Sequence, residues 1–285
     1  MLSDFHLHTL VSDGDLDPLA VLDHAKARGI THLAITDHDS LGAYTWRGGA
    51  VFAGADRLGL ELTVGLELDA DMDGLEVHLL GFGVARDNPT LCADLERVRA
   101  ARFERARREI GIVNEKLGPG TIREAEIFVE GRETLMKPHF IHPLLEKARF
   151  PTYEAANAWY RQNVKAGVPV PKPKLEEAIA LVRAAGGWTA LAHPGYYERS
   201  GVPMAQRLAG LHAQGLQGVE LDYPYHACSP HLFSADDERA FVAGIAAAAG
   251  RLGLRTTRGS DCHTSGDFEK VYGAKTDVAR GGQLP

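Results

Sequence analysis

Two histidines separated by one residue, His6 and His8, open the chain and give the first indication of metal chemistry. On an extended segment, residues two apart project from the same face, so both imidazoles point the same way. Asp13 follows in a Ser-Asp-Gly turn, and His38 closes the second predicted strand. Imidazole and carboxylate groups at the ends of adjacent strands are typical of a metal site. A single histidine there is more often an ordinary loop residue, but the combined spacing favours metal binding.

Ligand-type side chains recur immediately after, or late in, the strands predicted along the whole chain. The candidate metal-binding and catalytic residues are His6, His8, Asp13, His38, Glu67, His78, His193, Asp261 and His263. This set exceeds the needs of one ion and suits two or three clustered divalent ions. Nitrogen and oxygen donors without thiolate favour Mn²⁺, Zn²⁺ or Fe²⁺ over Ca²⁺. Cys262 lies between two candidates and is predicted to point away from them.

Composition limits the protein classes to which these candidates can belong. With 285 residues, 45% of them hydrophobic and 24% charged, the chain has the make-up of a globular protein. No apolar run approaches the roughly 20 residues that span a bilayer, and we expect no secretory leader. Three dispersed cysteines argue against a disulfide framework and favour the cytoplasm. The net charge of −7 argues against an extended nucleic-acid surface, although bound divalent ions would permit a small phosphorylated substrate.

The elements that position the candidates alternate between strands and helices at both ends of the chain. Strands are predicted at 2–5, 33–35, 60–66, 75–80, 188–192, 217–221 and 255–258, and helices at 17–29, 41–58, 174–185, 204–214 and 235–252. The predicted fold class is α/β with mostly parallel strands. In parallel α/β barrels the carboxyl ends of the strands converge on one mouth, which would gather the candidates in one place.

The intervening segment, residues 87–173, has a different pattern and is predicted to be a helical insertion folded over the strand ends. Helices are predicted at 89–116, 138–147 and 152–166. The first carries many arginines interleaved with glutamates, which mostly indicates a solvated face with ion pairs, with a phosphate-facing role for one or two of the arginines as the alternative. The predicted domains are therefore a discontinuous barrel, formed by 1–86 and 174–285, and a substrate lid at 87–173.

Five motifs occur in an order that resembles the PHP (polymerase and histidinol phosphatase) family of metal-dependent phosphoesterases. They are His6-Leu-His8, Ser12-Asp13-Gly14, Thr36-Asp37-His38-Asp39, Ala192-His193-Pro194-Gly195 and Gly259-Ser260-Asp261-Cys262-His263. The branch that the chain resembles contains nucleoside 3′,5′-bisphosphate phosphatases and short-RNA 5′-end exonucleases, which carry a helical insertion at the corresponding place. The resemblance implies a distorted (β/α)7 barrel with a trinuclear metal centre at its mouth.

The resemblance also implies a ligand set for each of three divalent ions, with Mn²⁺ favoured and Zn²⁺ or Fe²⁺ as alternatives. The first ion would take His6, His8, Glu67 and Asp261, the second a bridging Glu67 with His78 and His193, and the third Asp13, His38 and His263. The implied reaction is hydrolysis by a metal-bridging hydroxide that attacks phosphorus in line. The roles of Asp37 and Asp39 stay open between orienting these ligands and capping the local turn.

The predicted substrate pocket departs from the resemblance at the residues that would hold a second phosphate. Relatives usually place an Arg-X-His-X-X-Arg pattern at the start of the second insertion helix, whereas this chain has Lys137-Pro-His139-Phe-Ile-His142. Lys137 and His139 can still donate to a phosphate, but His142 lacks the bidentate grip of a guanidinium. Tyr196 is a candidate for base stacking, with packing at the rim as the alternative, and His226 is a candidate for the pocket wall.

The predicted function is hydrolysis of a small phosphorylated substrate, either a nucleoside 3′,5′-bisphosphate or the 5′ end of a short oligonucleotide. A phosphatase for a non-nucleotide phosphomonoester is an alternative. An amidohydrolase on a metal barrel also opens with His-X-His, but it has no evident use for Asp13, His38 and His263. Purely structural metal ions are a third alternative, although structural sites are usually closed, cysteine-rich zinc cages.

Overall fold

One sheet of seven strands organises the structure. The computed structural model describes residues 2–147, 149–165 and 167–273. In their order across the sheet, the strands are β1 (Leu2–Asp4), β2 (Ile30–Ile35), β3 (Glu61–Met72), β4 (Leu75–Phe82), β5 (Trp188–Leu191), β6 (Gly218–Asp222) and β7 (Arg255–Arg258). Neighbouring strands are parallel except for β4, which runs antiparallel to both β3 and β5. The prediction of an α/β fold with mostly parallel strands is therefore confirmed.

The first and last strands of the sheet meet through the residues that follow them. The backbone N–H of Phe5 donates to the carbonyl of Arg258, and that of Asp261 donates to the carbonyl of His6, each over 2.9 Å. The segment after β1 therefore lies directly beside the segment after β7. Because both segments carry candidate ligands, residues from the two ends of the sequence become neighbours.

Helices cover the sheet and build the insertion. Those packed around the sheet are α1 (Pro18–Ala27), α2 (Ala50–Leu58), α7 (Leu175–Ala184), α8 (Pro194–Arg199), α9 (Met204–Ala213), α10 (Tyr225–Cys228), α11 (Ala235–Leu252) and α12 (Ser265–Tyr272), whereas α3 (Pro89–Leu117), α4 (Glu124–Ile127), α5 (Pro138–Glu146) and α6 (Tyr153–Asn163) form the insertion. The sequence interpretation misses the short helices α4, α8, α10 and α12. Within the described residues, no helix is both long enough and apolar enough to cross a membrane.

β3 and β4 extend beyond the predicted limits, 60–66 and 75–80, and this corrects the position of one candidate. Glu67 lies inside β3 rather than after the end of a strand. The cause is visible in the sequence, because Asp69 alternates with the buried Leu68 and Ala70 and so continues the two-residue period of a strand. β3 therefore presents Glu67 and Asp69 on the same face.

Two separate hydrophobic cores accompany the division of the chain. The larger core packs one face of the sheet against the helices on either side of the insertion, while Ala34, Leu80 and Ala190 on the other face belong to a cluster of their own. The smaller core lies within the insertion and joins α3, α5 and α6 through residues such as Ile110, Phe140 and Tyr160. The insertion thus has a core of its own. Of the predicted barrel segment, residues 274–285 lie outside the described part of the chain.

The helix predicted at 41–58 begins later than expected. Two 3₁₀ turns, Gly42–Tyr44 and Trp46–Gly48, precede α2. Gly49 adopts a φ of 82°, in the left-handed region that glycine tolerates, and this separates the turns from the helix. The early turn allows the buried Tyr44 side chain to reach the junction of β2 and β3.

We expect Tyr44→Phe to lower the free energy of unfolding by about 2–4 kcal/mol, because it leaves buried backbone groups without a partner. The hydroxyl accepts from the N–H groups of Ile35 and Gly65 at 3.1 and 2.8 Å, and lies 2.7 and 2.9 Å from the carbonyls of Ile35 and Thr63. Urea denaturation measures the change, with Tyr153→Phe on the insertion as the control. A loss for Tyr44→Phe no larger than that of the control would contradict the expectation.

Candidate metal centre

His6 and His8 face two carboxylates that arrive from other strands. The Nε2 atom of His6 lies 3.2 Å from Glu67 Oε2 and 3.3 Å from Asp261 Oδ1. The Nε2 atom of His8 lies 3.3 and 3.1 Å from the same two oxygens. All four potential donors lie within 4.8 Å of one another. The extended His-X-His segment after β1 therefore places both imidazoles on one face, as its spacing predicts.

A second group of donors forms around Asp13. His263 Nε2 lies 3.3 Å from Asp13 Oδ1, and His8 Nδ1 lies 3.6 Å from the same oxygen. His38 Nε2 lies 3.9 Å from Asp13 Oδ2. The rings of His8 and His263 stack with centroids 4.2 Å apart, which fixes their mutual orientation. His8 is thus common to this group and to the first.

The remaining candidates meet at Glu67. His78 Nδ1 and His193 Nε2 lie 3.0 and 3.2 Å from Glu67 Oε1, while His38 Nδ1 lies 3.3 Å from Oε2. The donor group that the geometry assembles here consists of His38, Glu67 and His78. His193 approaches the same carboxylate from the end of β5. All the candidates that the sequence predicts as ligands therefore lie in one continuous cluster.

The donor atoms of this cluster fit divalent cations. Among the described residues, buried side-chain atoms without a hydrogen-bond partner include His6 Nε2, His8 Nε2, Asp13 Oδ1, His38 Nδ1 and Glu67 Oε2. A buried polar atom without a partner costs about 1–3 kcal/mol, so such a concentration of them indicates an absent partner that binds them together. Imidazole nitrogen and carboxylate oxygen are the donors that Mn²⁺, Zn²⁺ and Fe²⁺ accept.

Burial disfavours the charged forms of Glu67, His38 and His263, but the attraction between opposite charges outweighs it. Nearby imidazoles, foremost His38, hold the pKa of Glu67 well below its ordinary value despite burial. Burial would lower the pKa of His38, yet Glu67 and Asp13 raise it well above the ordinary value. Against the same effect of burial, Asp13 foremost raises the pKa of His263 to about 10. Protons and divalent cations therefore compete for the same imidazole nitrogens.

Asp37 and Asp39 make contacts that support the orienting interpretation. Asp37 is buried and accepts from the backbone N–H and the hydroxyl of Thr9, each over 2.7 Å, and from the hydroxyl of Ser12 over 2.6 Å. It thereby holds the loop that connects His8 to Asp13. Asp39 accepts from the backbone N–H of Asp69 over 3.1 Å, so it bonds to β3 rather than only to its own turn.

An arginine from the insertion reaches into the cluster, which corrects one expectation. Most arginines of α3 form the predicted exposed ion pairs, as in Arg108 with Glu104. Arg102, however, is only 8% exposed, and its Nη2 lies 2.6 Å from Asp39 Oδ2 and 2.8 Å from Asp69 Oδ2. Asp69 also belongs to a donor group with Glu76 and His78. Arg102 contacts this group through Asp69 Oδ2, while Asp69 Oδ1 is among the buried atoms of the described residues that have no hydrogen-bond partner.

Asp69, Arg102 and Glu220 are the residues at the centre that the sequence interpretation misses. Asp69 is signalled by the two-residue alternation after Glu67. Arg102 is signalled by its place on the buried stripe of α3, which consists of Leu91, Leu95, Val98, Arg102, Ala106, Ile110 and Val113. Glu220 is a fully buried acid in the middle of β6, and such a residue requires a partner.

A cavity of about 430 Å³ opens beside the cluster, between the β3–β4 hairpin and the insertion. Asp13, His38 and His78 line it from the side of the sheet. The residues that line it from the insertion and the segment after it include Arg102, Arg105, Lys137, Tyr153, Tyr160 and Lys172. A substrate in this cavity would touch the candidate ligands on one side and positive side chains on the other.

The residues predicted to bind substrate are placed differently from one another. Lys137 lines the cavity. His139 is buried and its Nδ1 accepts from the N–H of Met136 over 2.9 Å, whereas His142 is exposed beside Tyr153. Neither His139 nor His142 is among the described residues that line the cavity, although His139 lies close enough to Asp13, which does line it, for their charges to interact.

The other two predicted substrate residues lie beyond β5 and β6. Tyr196 is half-buried, its hydroxyl lies 2.9 Å from that of Ser229, and its ring packs edge-on against His193. This geometry corresponds to the alternative of packing at the rim. His226 is exposed, and its Nδ1 lies 2.8 Å from the carbonyl of Phe233, outside the described lining of the cavity.

Comparison with known proteins assigns the family. The PHP domain matches residues 4–142. A 3′,5′-nucleoside bisphosphate phosphatase of Chromobacterium violaceum is 31% identical over 277 residues, which cover 96% of this chain and 92% of that protein. The chain belongs to the PHP family. It is accordingly a metal-dependent phosphoesterase, and the cluster of histidines and carboxylates described above fits divalent metal binding.

Further relatives and solved structures are similar to this chain over most of its length. A 5′-3′ exoribonuclease of Haemophilus influenzae is 29% identical, with 76% of this chain and 78% of that protein covered. A metal-dependent phosphoesterase of Bifidobacterium adolescentis superposes with a TM-score of 0.73 at 25% identity, over 93% of this chain and 88% of that one. A structure described as an amidohydrolase of Chromobacterium violaceum, with bound sulfate and no metal, superposes with a TM-score of 0.72 at 28% identity, over 100% and 92% of the two chains.

The buried His139 predicts a loss of stability in acid. Burial, assisted by Arg132, lowers the pKa of His139 to about 4 in the folded chain, below the ordinary value near 6.5. Between these values the unfolded chain binds more protons, so stability falls as the pH falls. We expect the advantage of the wild type over His139→Asn, in metal-free protein, to shrink by roughly 2 kcal/mol from pH 7.5 to pH 5.

Urea denaturation at a series of pH values measures this difference. His142→Asn is the control, because it removes a solvent-exposed imidazole from the same helix. A difference between the wild type and His139→Asn that is independent of pH would contradict the expectation.

Proposed function

We propose that this phosphoesterase hydrolyses nucleotides that carry more than one phosphate, foremost a nucleoside 3′,5′-bisphosphate. The observation that carries the proposal is the cavity of about 430 Å³, because it joins the candidate ligands to Arg105, Lys137 and Lys172. One phosphate would lie at the metal centre, and the other would lie against these cations. The relative named as a 3′,5′-nucleoside bisphosphate phosphatase supports the same substrate class.

We infer that the sheet closes into a distorted (β/α)7 barrel with residues 87–173 as a lid. The hydrogen bonds between the segments after β1 and β7 support closure. The separate hydrophobic core of α3, α5 and α6 supports a distinct lid. The cavity between the two parts would then be the entrance to the centre. We also propose a cytoplasmic location, which the dispersed free cysteines favour.

We propose that the cluster holds three divalent ions, with Mn²⁺ as the favoured ion. His6, His8, Glu67 and Asp261 would hold one, and His8, Asp13, His38 and His263 surround the position of another. Glu67, His78 and His193 would hold the third, since both rings lie against Glu67 Oε1. Such ions lower the pKa of a bound water, grip the phosphoryl oxygens and neutralise developing negative charge. The gathering of Asp13, His38 and His263 favours a phosphoesterase over the amidohydrolase alternative.

The cationic wall of the cavity compensates for the arginine missing at position 142. Arg105 Nε lies 2.7 Å from Glu109 Oε1, a contact that holds the side chain through Nε. Burial, and then repulsion from Arg161, lowers the pKa of Lys137, as expected where positive charges crowd together. A phosphate dianion would relieve this repulsion. Arg105 can thus provide the guanidinium that the α5 sequence lacks.

The test is phosphate release by the Mn²⁺-loaded protein from adenosine 3′,5′-bisphosphate and from AMP. We expect the bisphosphate to be hydrolysed and AMP to be at least tenfold slower. Arg105→Gln should raise KM for the bisphosphate about 10- to 100-fold with little change in kcat, because charged hydrogen bonds contribute about 1.5–3 kcal/mol. His193→Ala should abolish turnover.

Arg108→Gln is the matched control, because Arg108 lies on the same helix but is exposed and paired with Glu104. It should behave as the wild type. Equal turnover of AMP and the bisphosphate, with an unchanged KM in Arg105→Gln, would contradict the second phosphate site. A metal-loaded protein that hydrolyses no nucleotide would overturn the proposed substrate class.

A second cavity favours the 5′ end of a short oligonucleotide as an additional substrate. This cavity, of about 490 Å³, shares Arg105, Lys137 and Tyr160 with the first and continues past Arg161 and Lys165. The two cavities form a positively lined path that leads away from the centre. Such a path suits a phosphodiester backbone, with an aromatic side chain where a base can stack.

We expect kcat/KM for 5′-phosphorylated RNA to rise from the dinucleotide to the pentanucleotide and to fall with added salt. The double variant Arg161→Gln, Lys165→Gln should lose about tenfold on the pentanucleotide and retain wild-type turnover of the bisphosphate. The released mononucleotides are measured by chromatography, with Arg108→Gln again as control. No dependence on length would rule out the extended path while leaving the bisphosphate activity untouched.

A further inference from the structure

Glu220 stands out among the buried acids because both of its oxygens contact residues of the metal centre. It lies in the middle of β6 and is 1% exposed. Its Oε1 lies 2.9 Å from Nδ1 of His6, and its Oε2 accepts from the backbone N–H of His193 over 2.7 Å. A carboxylate in such surroundings is expensive to bury unless its partners compensate for the lost water. Its partners here are two candidate metal ligands from different strands.

The contact with His6 determines which ring nitrogen can bind a cation. A neutral imidazole carries one proton, and the nitrogen that coordinates a cation must be the other one. His6 Nε2 is buried, has no hydrogen-bond partner among the described residues, and faces Glu67 Oε2 and Asp261 Oδ1 at 3.2 and 3.3 Å. If Nε2 coordinates a cation, the ring proton of His6 must be on Nδ1. Nδ1 then donates a hydrogen bond to Glu220 Oε1.

The local backbone makes room for this contact. A Cβ atom at Gly259 would collide with both Glu220 Oε1 and Cβ of His6. Glycine at this position therefore allows the end of β7 to approach the two side chains closely. A residue with a side chain does not fit at this position, which explains why a glycine precedes Ser260 and Asp261.

The second oxygen of Glu220 holds a strained ligand. His193 has a φ of 27°, in the region that L-residues seldom occupy, and it lies two residues after the end of β5. The bond from its N–H to Glu220 fixes the peptide at this point. One carboxylate thus couples the orientation of His6, after β1, to that of His193.

We propose that Glu220 is a positioning residue that orients His6 and His193 for cation binding without being a ligand itself. The inference rests on the proposed metal centre, but not on the proposed nucleotide substrate. Carboxylates that accept from a coordinating imidazole fix its tautomer and its orientation, and their loss typically lowers metal affinity 10- to 100-fold. Glu220 has this relation to His6.

The test compares the binding of Mn²⁺ to chelator-treated wild type, Glu220→Gln and Asp4→Asn by titration calorimetry and elemental analysis. Asp4 is the matched control, because it is also a buried acid beside His6. Unlike Glu220, it accepts hydrogen bonds from the backbone N–H of His6 and from the hydroxyl groups of Ser260 and Tyr272, and not from the His6 ring. In Glu220→Gln, the amide presents one donor and one acceptor to two groups that need acceptors. We expect its affinity for at least one ion to fall 10- to 100-fold, and that of Asp4→Asn to fall less than threefold.

A second measurement uses only the wild type, so it does not depend on the folding of a variant. In the Zn²⁺-loaded protein, long-range ¹H–¹⁵N correlation spectra should show the proton of His6 on Nδ1. A proton on Nε2, or unchanged affinity in a folded Glu220→Gln, would overturn the proposal. If the wild type binds Mn²⁺ but hydrolyses no nucleotide, the proposed substrate fails while the role of Glu220 can still be measured.

Discussion

The buried carboxylate of Glu67 is the interaction on which the rest of the site depends. Its two oxygens lie 3.0–3.3 Å from ring nitrogens of five histidines, which are His6, His8, His38, His78 and His193. An isolated buried carboxylate is costly, so the elements that carry these histidines must reach the same point for the charge to be compensated. This requirement explains why sequence-distant strands present histidines toward β3. It also explains why β3 must continue beyond Glu67, since Asp69 extends the same polar face.

The insertion is tied to this centre by one buried ion pair network rather than by apolar packing alone. Arg102, on α3, forms ion pairs with Asp39 and Asp69. Asp39 also accepts a hydrogen bond from the backbone N–H of Asp69 in β3. Removing one partner of such a buried network leaves the other charge uncompensated, at a cost of about 3–5 kcal/mol. The geometry of the substrate cavity is therefore linked to that of the metal donors. A displacement of α3 would disturb both.

The sequence predicts which candidate donors come together, because their grouping depends on residue type and short spacing. His-X-His needs only an extended segment, and the α/β alternation then brings the strand ends together. The residues that it misses depend on three-dimensional partners. Arg102 resembles the exposed arginines of α3 until its position on the buried stripe is noticed, and Glu220 looks like an ordinary strand residue until His6 and His193 surround it. Likewise, His139 and His142 follow Lys137 closely in sequence, but neither is among the described residues that line the cavity.

The candidate metal ligands and the cationic side chains of the cavity wall differ in how many contacts hold them in place. This difference matters for substrate specificity. Each candidate ligand contacts several others, so replacing one disturbs many distances at once. The cations of the cavity wall come instead from α3, from the start of α5 and from the segment after α6, and Arg105 and Lys172 are each held by a single acidic neighbour, Glu109 and Glu76. The residue types of this wall can therefore change without disturbing the donors. Under the proposed function, the centre would fix which bond is hydrolysed, and the wall would determine which phosphate ester is presented to it.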